Sequence, residues 1–359
     1  METWPDITMW HVRVRAARAY AYRVPPSREL ANDVIKIGII GAGRIAHVHA
    51  RSVLHHPNTE LAAVMEPSLS SATAFTQAYG GRPTESIDDL LDEVDAVIVC
   101  SPTAYHPEHI VAAARRGRPV LCEKPVAADL GHVDALEAEL AGLDATVMIG
   151  FNRRFDPSFA RLHHLVEAGV IGDVEQVTII SRDPAPPPMD YIPTSGGIFK
   201  DMTIHDFDMA RHFLGDIVSV VAIGQNLDPA LEQTGDFDGA IVTLVNSEGR
   251  TATITNSRHC AAGYDQRLEV FGSNGTLNAD NVRPTTVRVS TADSTDAQDP
   301  YLDFFLSRYE DAYRRELDEF LLALAEGRTP DPTIEDGRRA LEIAEAADRS
   351  ARTGTIISL

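Results

Sequence analysis

Short apolar runs alternate with amphipathic stretches of helical period through the first part of the chain. The first run, Val34 to Ile40, is interrupted only by Lys36 and Gly38, a pattern that suits a strand buried on both faces of a parallel sheet. A helix is expected from Ile45, a second strand over Glu60–Met65 and a helix over Ser70–Tyr79. Ala96–Cys100 ("AVIVC") predicts another buried strand, His106–Arg116 a helix closed by Gly117, and Val120–Cys122 a short strand. A helix through Gly131–Ala141 and a strand at Thr146–Gly150 continue the rhythm. Strands alternating with helices in this way read as βαβ units, so the first half predicts a doubly wound sheet.

After Phe151 the rhythm changes. A helix near Ser158–Ala168 and a strand over Val174–Ser181 lead to the rigid stretch "DPAPPP", then to a helix at about Ile204–Leu214. Between 217 and 290 several runs ("IVSVVAIG", "GAIVTLVN", "TATITNS", "RLEVFGS", "TTVRVS") follow one another with turn residues between them. Strands without intervening helices predict an antiparallel sheet. Two helices, about 302–326 and 333–350, close the chain.

The chain has 359 residues, long for one hydrophobic core, so two domains are expected: a dinucleotide-binding unit over 34–153 and a second over 154–359. Residues 1–33 carry Arg13, Arg15, Arg18, Arg23 and Arg28 with few acids and no apolar signal region. They read as a disordered extension, with export not expected. No apolar run approaches the ~20 residues of a membrane-spanning helix. The net charge of -21 works against binding nucleic-acid phosphates. Cys100, Cys122 and Cys260 are odd in number and widely spaced, as reduced thiols of a cytoplasmic protein would be, without metal-ligand spacing.

Chemistry enters with "GAGRIA" after the first strand. Gly41, Gly43 and Ala46 fit G-x-G-x-x-G/A: the first glycine permits the turn, the second lets backbone approach a pyrophosphate, and Ala46 lets helix pack on sheet. The following helix offers free amides and a positive dipole end to the phosphate. Glu66 ends the second strand, where an acid accepts hydrogen bonds from ribose hydroxyls and repels a 2′-phosphate. NAD is therefore expected over NADP, although Arg44 in the turn could salt-bridge a phosphate.

Two further segments carry candidates. "CEKP" (Cys122–Pro125) places Lys124 at a strand end on the sheet's carboxyl edge, where ligands bind. "GGIFKDMTIHDFDMARHFLG" (Gly196–Gly215) places Asp201 and His205 four apart, on one helix face. Oxidising a secondary alcohol needs a proton acceptor, and a histidine titrating near neutrality supplies one. On this reading Asp201 orients His205, and Lys124 stabilises negative charge on the reacting oxygen. The bland alternatives are a structural histidine and a capping Asp201. Asp206 and Asp208 read as ordinary polar positions, and His212, His55-His56 and His163-His164 as solvated or packed. No metal site is expected.

Taken together, "GIIGAGRIA", "CSPTAYH", "CEKP" and "GFNRRFDPSF" resemble the glucose-fructose oxidoreductase/inositol dehydrogenase (Gfo/Idh/MocA) family from about residue 34 onward. The segment "SGGIFKDMTIHDFDMARHFLG" is similar to the inositol 2-dehydrogenases within it. The resemblance implies an N-terminal Rossmann domain plus a C-terminal α/β domain with an open, mostly antiparallel sheet that commonly pairs subunits into homodimers or homotetramers. It matches Lys124, Asp201 and His205 to the family's catalytic lysine, aspartate and histidine. Arg153, Asp183 and Tyr264 fall at polyol contacts, and Ser101, His106 and Glu123, with Gly41, Gly43, Arg44, Ile45, Ala46 and Glu66, on the NAD side. Asn152 and Ser181 differ from some inositol dehydrogenases. The implied activity is NAD-dependent oxidation of a cyclic polyol, myo-inositol first. The alternatives are a scyllo-inositol or aldose dehydrogenase, or a non-catalytic sugar- or NAD-binding regulator.

Overall fold

The computed structural model describes residues 34–359, so the expectation for 1–33 lies outside the described residues. Six parallel strands form the first sheet: β1 (Ile35–Ile40), β2 (Thr59–Met65), β3 (Arg82–Thr84), β4 (Ala96–Val99), β5 (Val120–Glu123) and β6 (Val147–Gly150). Their order is β3-β2-β1-β4-β5-β6. The order reverses between β1 and β4, and a crevice opens there at the strands' carboxyl ends. Ile37, Ile39 and Ile40 of β1 and every residue of β4 are buried, as expected of runs with no polar face. The connecting helices are α1 (Arg44–His55), α2 (Leu69–Tyr79), α3 (Ile87–Leu91), α4 (His106–Arg115) and α5 (Leu130–Leu140). The periodicity reading missed β3 and α3, which are too short to show a period.

A 3-10 turn over Asn152–Phe155 and α6 (Pro157–Glu167), capped by Asp156, lead into the second sheet. Next come β7 (Val174–Arg182), the short α7 (Ile192–Ser195), a π-helical turn at Phe199–Thr203, and α8 (Ile204–Leu214). The sheet is completed by β8 (Ile217–Gln225), β9 (Gly239–Asn246), β10 (Thr251–Ser257), β11 (Asp265–Gly272) and β12 (Gly275–Ala279), with α9 (Pro229–Glu232) between β8 and β9. "TTVRVS" does not join it: only β13 (Arg288–Val289) forms there, paired with β14 (Ala297–Gln298) in an exposed ribbon. The expected helix over 302–326 is two, α10 (Phe305–Arg308) and α11 (Glu310–Glu326). Last come α12 (Ile334–Thr353) and β15 (Ile357–Ser358).

The second sheet runs β12-β11-β7-β10-β9-β8-β15. It is antiparallel except between β7 and β10, strands separated by the long excursion through α8. Helices α8 and α12 pack on one face. On the other, alternate residues such as Ile223, Ile241 and Phe271 are exposed. Thr333 caps α12 and receives Asp336 in return, a reciprocal pairing that satisfies two orphan amides.

Candidate functional site

A cleft of about 860 Å³ lies between the carboxyl edge of the first sheet and the inner end of the second. Its lining includes Gly41, Gly43, Arg44, Ile45, Glu66, Ser101, His106, Glu123 and Lys124 from the nucleotide side, and Arg153, Asp183, Asp201, His205 and Tyr264 from the other. Ala46 alone among the sequence candidates lies behind the wall, fully buried in the first turn of α1.

The glycine turn fits a dinucleotide. Gly41 has φ +96°, and a Cβ there would come within 2.8 Å of the Ser101 nitrogen, whereas one on Gly43 would meet nothing within 4 Å. The first glycine therefore closes the turn, and the second leaves open space for a ligand. The Ala42 amide donates to Glu66 Oε2 at 2.9 Å, so Glu66 holds the turn with one oxygen while its side chain lines the cleft. The Arg44 guanidinium lies 5.9 Å from the centre of the Phe304 ring. His106 is buried, its ring nitrogens 2.7 Å from the Pro125 carbonyl and 2.8 Å from that of Ser101. It ties two loops of the cleft wall together.

Lys124 and the α8 region meet across the cleft. The Lys124 ammonium donates to the backbone carbonyl of Asp201 at 2.7 Å. Asp201 itself differs from the expectation. Its carboxylate accepts from the Tyr191 hydroxyl at 3.1 Å and lies 3.6 Å from Arg258, while His205 Nδ1 is buried without a partner. Asp201 sits in the π-helical turn and His205 on the α-helix after it, so the wider turn shifts Asp201 off the simple four-residue alignment. His205 differs too: burial first, then the Lys124 and Arg153 charges, push its pKa well below the ordinary histidine value. It is a neutral imidazole in the resting site, with Nε2 left as the nitrogen toward the cleft.

Asp206 and Asp208, read from sequence as ordinary polar positions, are buried structural anions. Arg153 donates to Asp206 at 2.5 Å and to Ser181 at 3.1 Å, and Asn256 donates to the second Asp206 oxygen at 2.7 Å. Arg154 forks onto Asp208 at 2.6 and 2.9 Å and also reaches Asp336 and Asp331. Helix α8 is enclosed by neighbours on most sides, and the adjacent arginines supply the cations that its two aspartates need there. His163 and His212 are packed as expected, stacked with centroids 3.6 Å apart.

Burial raises Asp183 to about 7, with Arg153 pulling it down and Asp201 pushing it up. Its carboxylate therefore titrates near neutrality inside the cleft. Asn152 is buried on the cleft wall with its amide nitrogen unpartnered. Sequence reasoning missed Tyr191, Arg258 and Tyr309, which have no local motif. The proline run before Tyr191 was the one available signal.

Comparison with known proteins places this geometry. The NAD-binding Rossmann-fold model of the Gfo/Idh/MocA oxidoreductases matches residues 35–151, and their C-terminal alpha/beta domain model matches 163–359. The chain belongs to the Gfo/Idh/MocA oxidoreductase family. An inositol 2-dehydrogenase of Rhizobium meliloti is 44% identical over 329 residues, covering 90% of this chain and 99% of the relative. A myo-inositol dehydrogenase structure from Corynebacterium glutamicum superposes with TM-score 0.87 at 47% identity, covering 91% and 99% of the two chains. A Lactobacillus casei scyllo-inositol dehydrogenase, solved with NAD(H) and scyllo-inositol, superposes at 0.84 with 28% identity over 91% and 99%. The family member described here is accordingly an NAD-dependent dehydrogenase acting on CH–OH groups. Among its described residues no helix is long and apolar enough to cross a membrane, and no cluster of potential ligands could hold a metal ion.

Proposed function

We propose that this enzyme oxidises myo-inositol to its 2-keto product. The carrying observation is the Lys124–Asp201 hydrogen bond of 2.7 Å, which joins the carboxyl edge of the Rossmann sheet to the helix that carries His205. The amides around Gly41 and Gly43, with Glu66 and Ser101, would hold NAD, and bound NAD accepts a hydride from the substrate carbon. The rest falls to side chains. His205, neutral at rest, takes the hydroxyl proton at Nε2. Lys124 hydrogen-bonds the same oxygen and stabilises the charge developing on it, turning from the Asp201 carbonyl to do so. Arg153, locked by Asp206, and Asp183 address neighbouring hydroxyls, with Asn152 and Tyr264 completing the wall.

Likeness to relatives named for myo-inositol at 44–47% identity, from Thermotoga maritima and Corynebacterium glutamicum, favours that isomer over the scyllo isomer or an aldose. The test is NADH formation by the purified enzyme against myo-inositol, scyllo-inositol and common aldoses. Higher kcat/KM on scyllo-inositol or an aldose would replace the substrate, and NAD binding without turnover of any polyol would mark a regulator instead. Self-association belongs to the same reading, since one face of the second sheet exposes Ile223, Ile241 and Phe271; sedimentation of the purified enzyme as a monomer would remove it. The three free cysteines suit a cytoplasmic location.

A further inference from the structure

Behind Lys124 lies a buried group of acids that the proposed oxidation does not use. His49 of α1 is fully buried; its Nε2 lies 2.8 Å from Glu123 Oε1, and its Nδ1 has no partner. Glu316 of α11 is also fully buried, and neither of its carboxylate oxygens meets a donor. Tyr313, three residues earlier, sets its ring edge-on to His49 with centroids 5.4 Å apart. Glu123 reaches from this group to the cleft, which it helps to line.

An ionised carboxylate without a single donor is far costlier in a dry interior than a protonated one. Burial, with the Glu123 charge second, accordingly pushes Glu316 well above the usual carboxylate range. The other titratable groups facing these acids are Cys100 after β4, Cys122 and Lys124 at β5, His106 on α4, and Tyr313. Burial, reinforced by the acids, pushes both thiols and the Tyr313 phenol up, so they stay neutral. Burial likewise pushes His106 down. Lys124 is the cation among them, and its ammonium is turned to Asp201.

We propose that Glu316 is a neutral acid beside the Glu123–His49 pair, so that it adds no charge to that of Glu123 on the cofactor side of the cleft, and that it releases its proton when a positively charged nicotinamide binds. The oxidised ring carries a positive charge and the reduced ring does not, so a second carboxylate charge is favoured beside the first form only. The proton count thereby becomes linked to the oxidation state of the bound cofactor. The inference rests on the reading that places the ring beside Glu123 and Lys124.

Two measurements test it. Infrared spectra of the nucleotide-free protein at neutral pH should contain a carboxylic-acid carbonyl band that Glu316→Gln removes; a spectrum in which the substitution removes no such band overturns the proposal, whatever the cofactor does. In weakly buffered solution with an indicator dye, mixing with NAD should release more protons than mixing with NADH, and Glu316→Gln should abolish the difference. An undiminished difference would assign the proton to another group. Glutamine is the isostere of the neutral acid, so the variant should melt with the wild type at neutral pH. A collapse in its melting temperature would show Glu316 to be ionised, and would equally end the proposal.

Discussion

The Tyr191 hydroxyl donates to the Asp201 carboxylate across 3.1 Å, tying the end of the proline-rich segment to the turn that precedes His205. Asp201 is thus oriented by Tyr191 and Arg258, and not by the imidazole. Tyr191→Phe removes one hydrogen bond to a charged acceptor, worth about 1.5–3 kcal/mol. The expected result is a fall in kcat/KM of roughly tenfold or more with NAD affinity unchanged. Unaltered steady-state kinetics would show that the bond has no part in turnover.

Lys124→Ala should cut kcat by about 10²–10³-fold, the range for removing a donor aimed at a developing oxyanion, while NAD binding followed by fluorescence persists. His205→Ala should lower kcat comparably. Burial and the two cations hold the imidazole neutral, so the wild-type rate should show no histidine limb near its ordinary value. A limb near pH 6.5 that vanishes in His205→Ala would contradict that.

Asp183 supplies a limb of its own. Its carboxyl is raised to about 7, so it is protonated below that pH, and on the proposed reading it accepts polyol hydroxyls only above it. The KM for polyol should fall as pH rises through about 7 in the wild type. Asp183→Asn should give a higher KM that no longer responds to pH in this window. A KM profile identical to wild type would remove Asp183 from the substrate site.

Glu66 accepts from the Ala42 amide and lines the cleft. Glu66→Ser should lower the NAD-over-NADP preference in kcat/KM by one or more powers of ten, each equal to ~1.4 kcal/mol. Retained selectivity would show that Glu66 serves only the turn.

Asp336 makes the fold acid-sensitive. Burial opposes its charge, but Arg154 and Thr333 outweigh burial and hold the carboxyl well below the usual range. A depressed carboxyl contributes stability above the unfolded pKa of about 3.9 and loses it as pH falls toward the folded value. Asp336→Asn should therefore melt below the wild type at neutral pH, and the gap should close on acidification. A gap independent of pH would point to lost packing instead.

The nucleotide half was legible because its chemistry is local. A buried strand, Gly41 and Gly43, and Glu66 at the next strand's end are each read within a few residues, and backbone sterics leave them little freedom. The length of α8 was legible for the same reason, in its periodic apolar positions. The environment of its polar residues was not. Nothing in "HDFDMAR" tells a solvated aspartate from one facing Arg153 or Arg154 more than fifty residues away. The pairing of Tyr191 with Asp201 and the neutral state of His205 were hidden in the same way.

The sequence alone determined the element types, the phosphate turn and the residues able to move a proton or hold a charge, because period and residue type act over a few bonds. Only the tertiary structure decided which carboxylate faces which cation and which acids lose water. Burial and pairwise charge depend on distance in space, and a chain folded from two sheets brings remote segments within hydrogen-bond reach.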